Sequence, residues 1–156
     1  MSKERFIKLL EEFCALTKID KPGFVLQDGI VTVNGVTFSL RHEEEADADL
    51  LFLYTDFGKL PAKQELEVCK ALMEANLFLF ATKQQFSFAI SPNTKNATLA
   101  CRISLKDLTS ERLRTLLIDL SAKARAWRIN HFFDLKPKSP QSGKSALHAL
   151  YVKAGA

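Results

Sequence analysis

The stretch DFGKLPAKQELEVCKALMEANLFLF (56–80) decides the fold, because it joins a strand-like end to a long helix that is apolar around most of its surface. Pro61 is typical of a first helical turn, where a missing N–H costs nothing, so we predict a helix from Pro61 to about Leu77. Its charged residues can pair along one narrow strip. These are Lys63, Glu67, Lys70 and Glu74.

A helix that is apolar over roughly two thirds of its surface is buried on two sides, within its own domain or between subunits. We interpret the second side as a self-complementary dimer surface, and therefore predict a homodimer. The residues assigned to this interface are Leu66, Cys69, Leu72, Met73 and Phe78.

The sequence before this stretch predicts one helix and three strands. Residues 3–18 carry apolar side chains at helical spacing, and Asn34-Gly35 between two β-rich runs is the sequence that a type I′ hairpin prefers. Pro22-Gly23 is expected to end the first helical segment and to lead into extended chain. Residues 50–54 are apolar at every position, which indicates a central strand covered on both faces.

The sequence after it predicts two strands and a final helix. Residues 86–90 and 99–105 alternate in polarity across a turn, as an antiparallel pair does. Thr109 is a suitable N-cap, and the leucines that follow, with Ala124 and Trp127, form a core-facing stripe. The predicted fold class is therefore α+β, an antiparallel sheet with helices in the order α-β-β-β-α-β-β-α.

Composition and charge narrow the function classes. The 156 residues are 47% hydrophobic, enough for one domain with its own core, and no apolar run approaches the ~20 residues that span a bilayer. We expect a cytoplasmic protein without membrane insertion. Lys136, Lys138, Lys144 and Lys153 against Asp134 give residues 129–156 a net charge of +3 out of +4. We thus predict a domain over residues 1–128 and a basic C-terminal extension over 129–156.

The sequence lacks the residue patterns that a catalytic site or a metal site requires. Cys14, Cys69 and Cys101 lie among apolar residues and are interpreted as reduced core thiols. The acidic run His42–Asp49 has no glycine for a calcium loop and too few His or Cys residues for zinc. We expect no enzyme activity, metal or cofactor. The strands carry few basic residues, so nucleic-acid binding would depend on the basic extension alone.

Several segments in order resemble the class I chaperones of type III secretion, of the CesT and SycE type. They are Asn34-Gly35, Tyr54, Gly58-Lys59-Leu60-Pro61, Leu72-Met73-Glu74-Ala75-Asn76-Leu77 and Ala124-Arg125-Ala126-Trp127-Arg128. The resemblance implies a homodimer joined through the second predicted helix, and it names the secretion ATPase or apparatus as a further candidate partner. It also implies binding of the N-terminal segment of a secreted effector in extended form, with strand addition at a sheet edge as one mode.

The effector-binding residues implied by the resemblance lie on the first helix and the first strand. They are Phe6, Ile7, Leu10, Cys14, Val31 and Val33. The same features fit a regulatory protein of this fold that sequesters a transcriptional regulator or anti-activator. Partner identity alone separates that alternative from the chaperone.

Overall fold

A computed structural model describes residues 2–133, which form five helices and five strands. In chain order they are α1 (Ser2–Thr17), α2 (Pro22–Asp28), β1 (Ile30–Val33), β2 (Val36–Arg41), α3 (Glu44–Asp47), β3 (Leu50–Gly58), α4 (Glu65–Leu79), β4 (Ser87–Ile90), β5 (Ala97–Ser104) and α5 (Ser110–Asn130). The predicted α+β class and the order of the long elements are confirmed. The boundary between a domain and a basic extension stays a prediction, because residues 134–156 lie outside the described part.

The short helix α2 was not predicted. Pro22 stands in its first turn, where its lack of an N–H does no harm, and Gly29 ends it in the left-handed conformation with φ 65°. A Cβ on Gly29 would lie 2.1 Å from the carbonyl oxygen of Leu40, which belongs to the neighbouring strand β2. Glycine is therefore required where α2 turns into β1, and the expectation of extended chain after Pro22-Gly23 was wrong.

The five strands form one antiparallel sheet in the order β1-β2-β3-β5-β4. The predicted hairpin is confirmed: Asn34 and Gly35 both have positive φ, 50° and 78°, and Val33 pairs with Val36. Strand β3 lies at the centre, between β2 and β5. The outer edges of the sheet are thus β1 and β4.

One face of the sheet is covered by helices. Helix α5 packs across β1, β2 and β3, helix α1 packs on α5, and α4 packs beside β4. The stripe predicted for α5 is buried as expected, from Leu113 to Trp127, and Thr109 accepts a hydrogen bond from the N–H of Arg112 at 3.2 Å. The hydrophobic core therefore lies between this sheet face and the helices.

The opposite face of β3 is not covered by a helix within residues 2–133, so the expectation that this strand is buried on both sides was wrong. Tyr54 on that face is 40% exposed, whereas Leu51 and Leu53 on the other are fully buried. Phe52 is half-buried and lies directly between Arg41 and Arg102 of the neighbouring strands. Long arginine stems can shield an aromatic ring without a covering helix.

Helix α4 begins at Glu65, later than the predicted Pro61. Residues 61–64 form a turn instead, in which the N–H of Gln64 donates to the carbonyl of Pro61 at 3.1 Å. The helix ends at Leu79, near the expected Leu77.

Arg128 joins the end of α5 to the sheet. Its guanidinium donates to the carbonyls of Phe57 at 2.6 Å, Asp56 at 2.9 Å and Gly35 at 3.1 Å. Gly58 follows a register shift in β3 and has φ 122°; a Cβ there would lie 3.1 Å from Nε of Arg128. This close approach fixes α5 over the β1–β2 turn, which positions the site described next.

Candidate functional site

The β1 edge of the sheet is open in the described part of the chain. Val33 and Val36 flank a two-residue hairpin turn. In an antiparallel ladder, main-chain hydrogen-bonded pairs alternate with pairs that are not hydrogen-bonded. The main-chain groups of Val31 and Val33 therefore bond to β2. The N–H of Leu40 donating to the carbonyl of Gly29 at 2.7 Å continues this alternation. The main-chain groups of Ile30 and Thr32 therefore point outward, and no hydrogen bond from any residue in 2–133 reaches them.

The β4 edge, by contrast, is closed by a side chain of α4. Oδ1 of Asn76 accepts from the N–H of Phe88 at 2.6 Å, and Nδ2 of Asn76 donates to the carbonyl of Phe88 at 2.9 Å. The amide of Asn76 thus occupies the place of a neighbouring peptide group. This edge cannot accept a further strand at Phe88 without displacing Asn76.

A cavity of about 310 Å³ lies beside the open edge, between the end of α1, strand β1 and helix α5. Most of its wall is apolar: Phe13, Ile19, Val31, Val33, Leu117 and Ile118. Its polar lining residues are Thr17, Thr32, Asn34 and Arg114. An apolar hollow next to unpaired main-chain groups suits an extended peptide that inserts one large side chain.

Two of the polar lining side chains already donate hydrogen bonds. Oγ1 of Thr17 donates to the carbonyl of Phe13 at 2.7 Å, and Nδ2 of Asn34 donates to Oγ of Ser121 at 3.3 Å. Oγ of Ser121 in turn donates to the carbonyl of Ile118 at 2.7 Å. The Asn34–Ser121 bond links the β1–β2 turn to α5 beside the cavity, whereas the other two bonds lie within α1 and α5.

The structure brings only part of the predicted effector-binding set to this cavity. Val31 and Val33 line its wall, while Leu10 and Cys14 are buried in α1 and belong to the core. Phe6 is half-buried and stacks on the ring of His42, with ring centroids 5.4 Å apart; Ile7 is 42% exposed. Phe6, Ile7, Leu10 and Cys14 do not line the cavity.

Sequence reasoning missed the cavity residues of α1 and α5. Phe13 and Leu117 were assigned to core stripes, which their burial confirms, but helical spacing does not reveal that two such stripes leave a gap where they meet β1. Arg114 and Ile118 were not singled out. Their i,i+4 spacing from each other, which places both on one side of α5, was the available signal.

The predicted dimer residues are divided between the two faces of α4. Met73 is 74% exposed, Leu66 is also exposed, and Cys69 is half-buried. Leu72 is only 4% exposed and lies in the inward row with Val68, Ala75 and Leu79, so it packs in the core of the protomer; the dimer interface itself stays a prediction. Phe78 is exposed but lies about 140° around the helix from Met73.

An exposed apolar row nevertheless follows the outer face of α4. We call it the α4 stripe, and it consists of Leu66, Cys69, Met73, Leu77 and Phe80. Leu77 and Phe80 were absent from the predicted interface. A row of this kind on one helix is typical of a surface that packs against another protein.

Burial suppresses thiolate formation at two of the three cysteines. It raises the pKa of the Cys101 thiol to about 12 and also raises that of Cys14, so neither forms a thiolate near neutral pH. All three cysteines are free. Residues 2–133 contain no group of three or more His, Cys, Asp or Glu side chains that could hold a metal ion. Nor does any described helix have the length and apolar character needed to cross a membrane.

Comparisons with known proteins agree with this architecture. The model of the Tir chaperone protein (CesT) family matches residues 8–128. A comparison with curated protein sequences gave no match.

Three solved structures share the fold. The HopA1–SchA chaperone–effector complex contains a chain that is 14% identical, with a TM-score of 0.59, covering 80% of this chain and 94% of that one. The Yersinia pestis type III secretion chaperone SycH, in complex with a fragment of YscM2, is 18% identical with a TM-score of 0.53, covering 78% and 98%. The ExsC–ExsE complex gives 18% identity and a TM-score of 0.56, covering 81% and 93%.

Proposed function

Because this chain belongs to the Tir chaperone protein (CesT) family, we propose that it is a cytoplasmic type III secretion chaperone that holds an N-terminal segment of a secreted effector in extended form. The observation that carries this proposal is the open β1 edge beside an apolar cavity. Together they offer main-chain partners and a side-chain pocket to one extended segment, and no catalytic reaction is needed for that role.

The segment adds to the sheet as a sixth strand next to β1. The outward main-chain groups of Ile30 and Thr32 pair with it, and main-chain pairing supplies affinity without requiring one particular sequence. Side chains of a strand alternate between faces, so one of them enters the cavity. Burying a large apolar side chain there contributes about 1.5–3 kcal/mol.

Two copies of the chain associate through the α4 stripe. Leu66, Met73 and Leu77 form an exposed row along about three turns of helix, and a two-fold axis would place each row against the other. The closed β4 edge lies beside the same helix. Dimerisation through α4 therefore leaves both β1 edges free for effector segments.

The experiment is to purify the tagged full-length chain from its own bacterium and identify co-purifying proteins by mass spectrometry. The expected result is a stoichiometric protein, protected from proteolysis through its N-terminal segment and present in the secreted fraction. A transcriptional regulator or anti-activator that stays in the cytosol would contradict the secretion role and establish the regulatory alternative.

A matched pair of variants tests the site itself. Thr32→Pro removes the outward N–H of β1, whereas Thr32→Ala removes the same side chain and keeps that N–H. We expect Thr32→Pro to lose the partner and Thr32→Ala to retain it. Equal retention of the partner by both variants would contradict strand addition at β1.

A further inference from the structure

Arg114 is the charged residue among those that line the cavity in the described part of the chain. It is exposed on α5, one turn before Leu117 and Ile118, and makes no hydrogen bond or ion pair with another residue of the described chain. The side chains of Thr17 and Asn34 already donate to Phe13 and Ser121. Arg114 is therefore a cation at an apolar pocket whose donors remain available to a ligand.

No acidic side chain of the described residues forms an ion pair with Arg114. Oε2 of Glu111, one turn earlier on α5, accepts a hydrogen bond from Oγ of Ser110 at 3.2 Å. The ion pairs that the structure describes, Lys8–Glu12 and Lys106–Asp49, do not involve Arg114. The guanidinium of Arg114 therefore remains available to a carboxylate of whatever occupies the cavity and the β1 edge.

We propose that Arg114 selects an Asp or Glu in the added strand, two residues from the apolar side chain that fills the cavity. The proposal rests on the proposed function, since it concerns the same strand. Residues i and i+2 of a strand share one face and lie about 7 Å apart, a separation that an arginine side chain beside the cavity can span. Guanidinium and carboxylate form charge-assisted, often paired, hydrogen bonds.

The resulting preference is modest because Arg114 is exposed and screened by salt. We expect a carboxylate at the matching position to improve affinity about twofold to fivefold, in line with exposed ion pairs of good geometry. The cavity and the main-chain pairing supply the remaining affinity. Arg114 is therefore a specificity-determining residue, and the pocket alone does not distinguish between apolar segments of different charge.

The first test is selection from a displayed library of random 12-residue peptides on the full-length chain. The wild-type chain is expected to enrich peptides that alternate in polarity and carry Asp or Glu two residues from a large apolar residue. Arg114→Glu is expected to lose this acidic preference. Arg125→Glu, the same charge change about 16 Å further along α5, is the matched control and should select like the wild type.

The second test is a double-mutant cycle with one selected peptide and its counterpart carrying Gln for Glu. The wild-type chain should bind the Gln peptide about twofold to fivefold more weakly, and Arg114→Gln should bind both peptides equally. An unchanged preference in Arg114→Gln, or selection of alternating apolar peptides without acidic enrichment, overturns the role of Arg114 alone. If every selected peptide still binds Thr32→Pro, strand addition at β1 is overturned. The role of Arg114 is overturned with it.

Discussion

The two edges of the sheet have the same main-chain chemistry and opposite accessibility. At β4, the amide of Asn76 satisfies both main-chain groups of Phe88, and α4 packs beside the strand. At β1, the outward groups of Ile30 and Thr32 have no such partner in the described chain, and a cavity lies beside them. Since an unprotected edge invites pairing with other chains, an edge left open next to a pocket indicates a binding site.

The largest expected effect comes from proline placed inside the sheet, and proline at the open edge is its comparison. Ser39 of β2 bonds toward β3, because its pairing with Ile30 is a non-bonded position of the β1–β2 ladder. Ser39→Pro should therefore lower the free energy of unfolding by about 3 kcal/mol or more. Thr32→Pro should lower it by less than about 1 kcal/mol, since its N–H has no intramolecular partner.

Urea unfolding followed by circular dichroism measures both variants. Thr32→Ala separates the loss of the threonine side chain from the loss of the N–H. A cost for Thr32→Pro as large as that for Ser39→Pro would mean that β1 is not a free edge.

The closed edge is tested at Asn76. Asn76→Leu removes both hydrogen bonds to Phe88 and leaves its main-chain groups unpaired, so we expect a loss of about 2 kcal/mol in the free energy of unfolding. Asn76→Asp keeps an acceptor for the N–H of Phe88 but sets a carboxylate oxygen against its carbonyl oxygen in place of the donor, so it should also lower the free energy of unfolding.

Urea unfolding gives the two values, and light scattering detects association through the opened β4 edge. An unfolding free energy for Asn76→Leu within about 0.5 kcal/mol of wild type would show that Asn76 does not protect this edge.

The two faces of α4, the helix that packs beside β4, can be compared in the same way. Met73→Glu places a charge in the α4 stripe, and we expect it to weaken self-association by about 1.5 kcal/mol or more, roughly tenfold in the dissociation constant. Sedimentation velocity over a concentration series measures the change. Phe24→Glu on α2, which packs by α1 and β1, is an equally drastic exposed change and should leave self-association unaltered.

A dimer that survives Met73→Glu but is lost in Phe24→Glu would move the interface to the β1 side. In that case the open edge and the dimer surface would coincide, and one surface could not serve both partners at once.

Adjacent residues show why sequence could predict the fold better than the site. Leu72 and Met73 are both apolar and next to each other, yet one is in the core and the other is exposed. The helical pattern indicates apolar residues on both sides of α4. It does not indicate which side packs against the core of the same protomer. Asn34-Gly35 was predictable because its requirement is local, two positive φ angles at a tight turn.

Long-range features had no comparable local signal. The bond between Asn76 and Phe88 depends on α4 lying beside β4, and the cavity depends on α1 and α5 meeting β1 with a gap. Both arise from the packing of elements that are distant in sequence. The burial of β3 around Tyr54 was misjudged for the same reason. The apolar strand was expected to be covered on both faces, whereas Arg41 and Arg102 beside Phe52 shield part of the face opposite the helices.

The smallest expected effect lies midway between the two edges, at Thr55 of the central strand. Its side chain is fully buried on the helix-covered face, and its Oγ1 has no hydrogen-bond partner. Thr55→Val replaces this hydroxyl with a methyl group of similar size, so it should raise the free energy of unfolding by about 1 kcal/mol. Thr55→Ser keeps the hydroxyl, removes the methyl group and should lower the free energy of unfolding by about the same amount.

Urea unfolding distinguishes the two directions, and partner binding at β1 should remain unchanged in both variants. Destabilisation by Thr55→Val would mean that the Thr55 hydroxyl has a hydrogen-bond partner in solution.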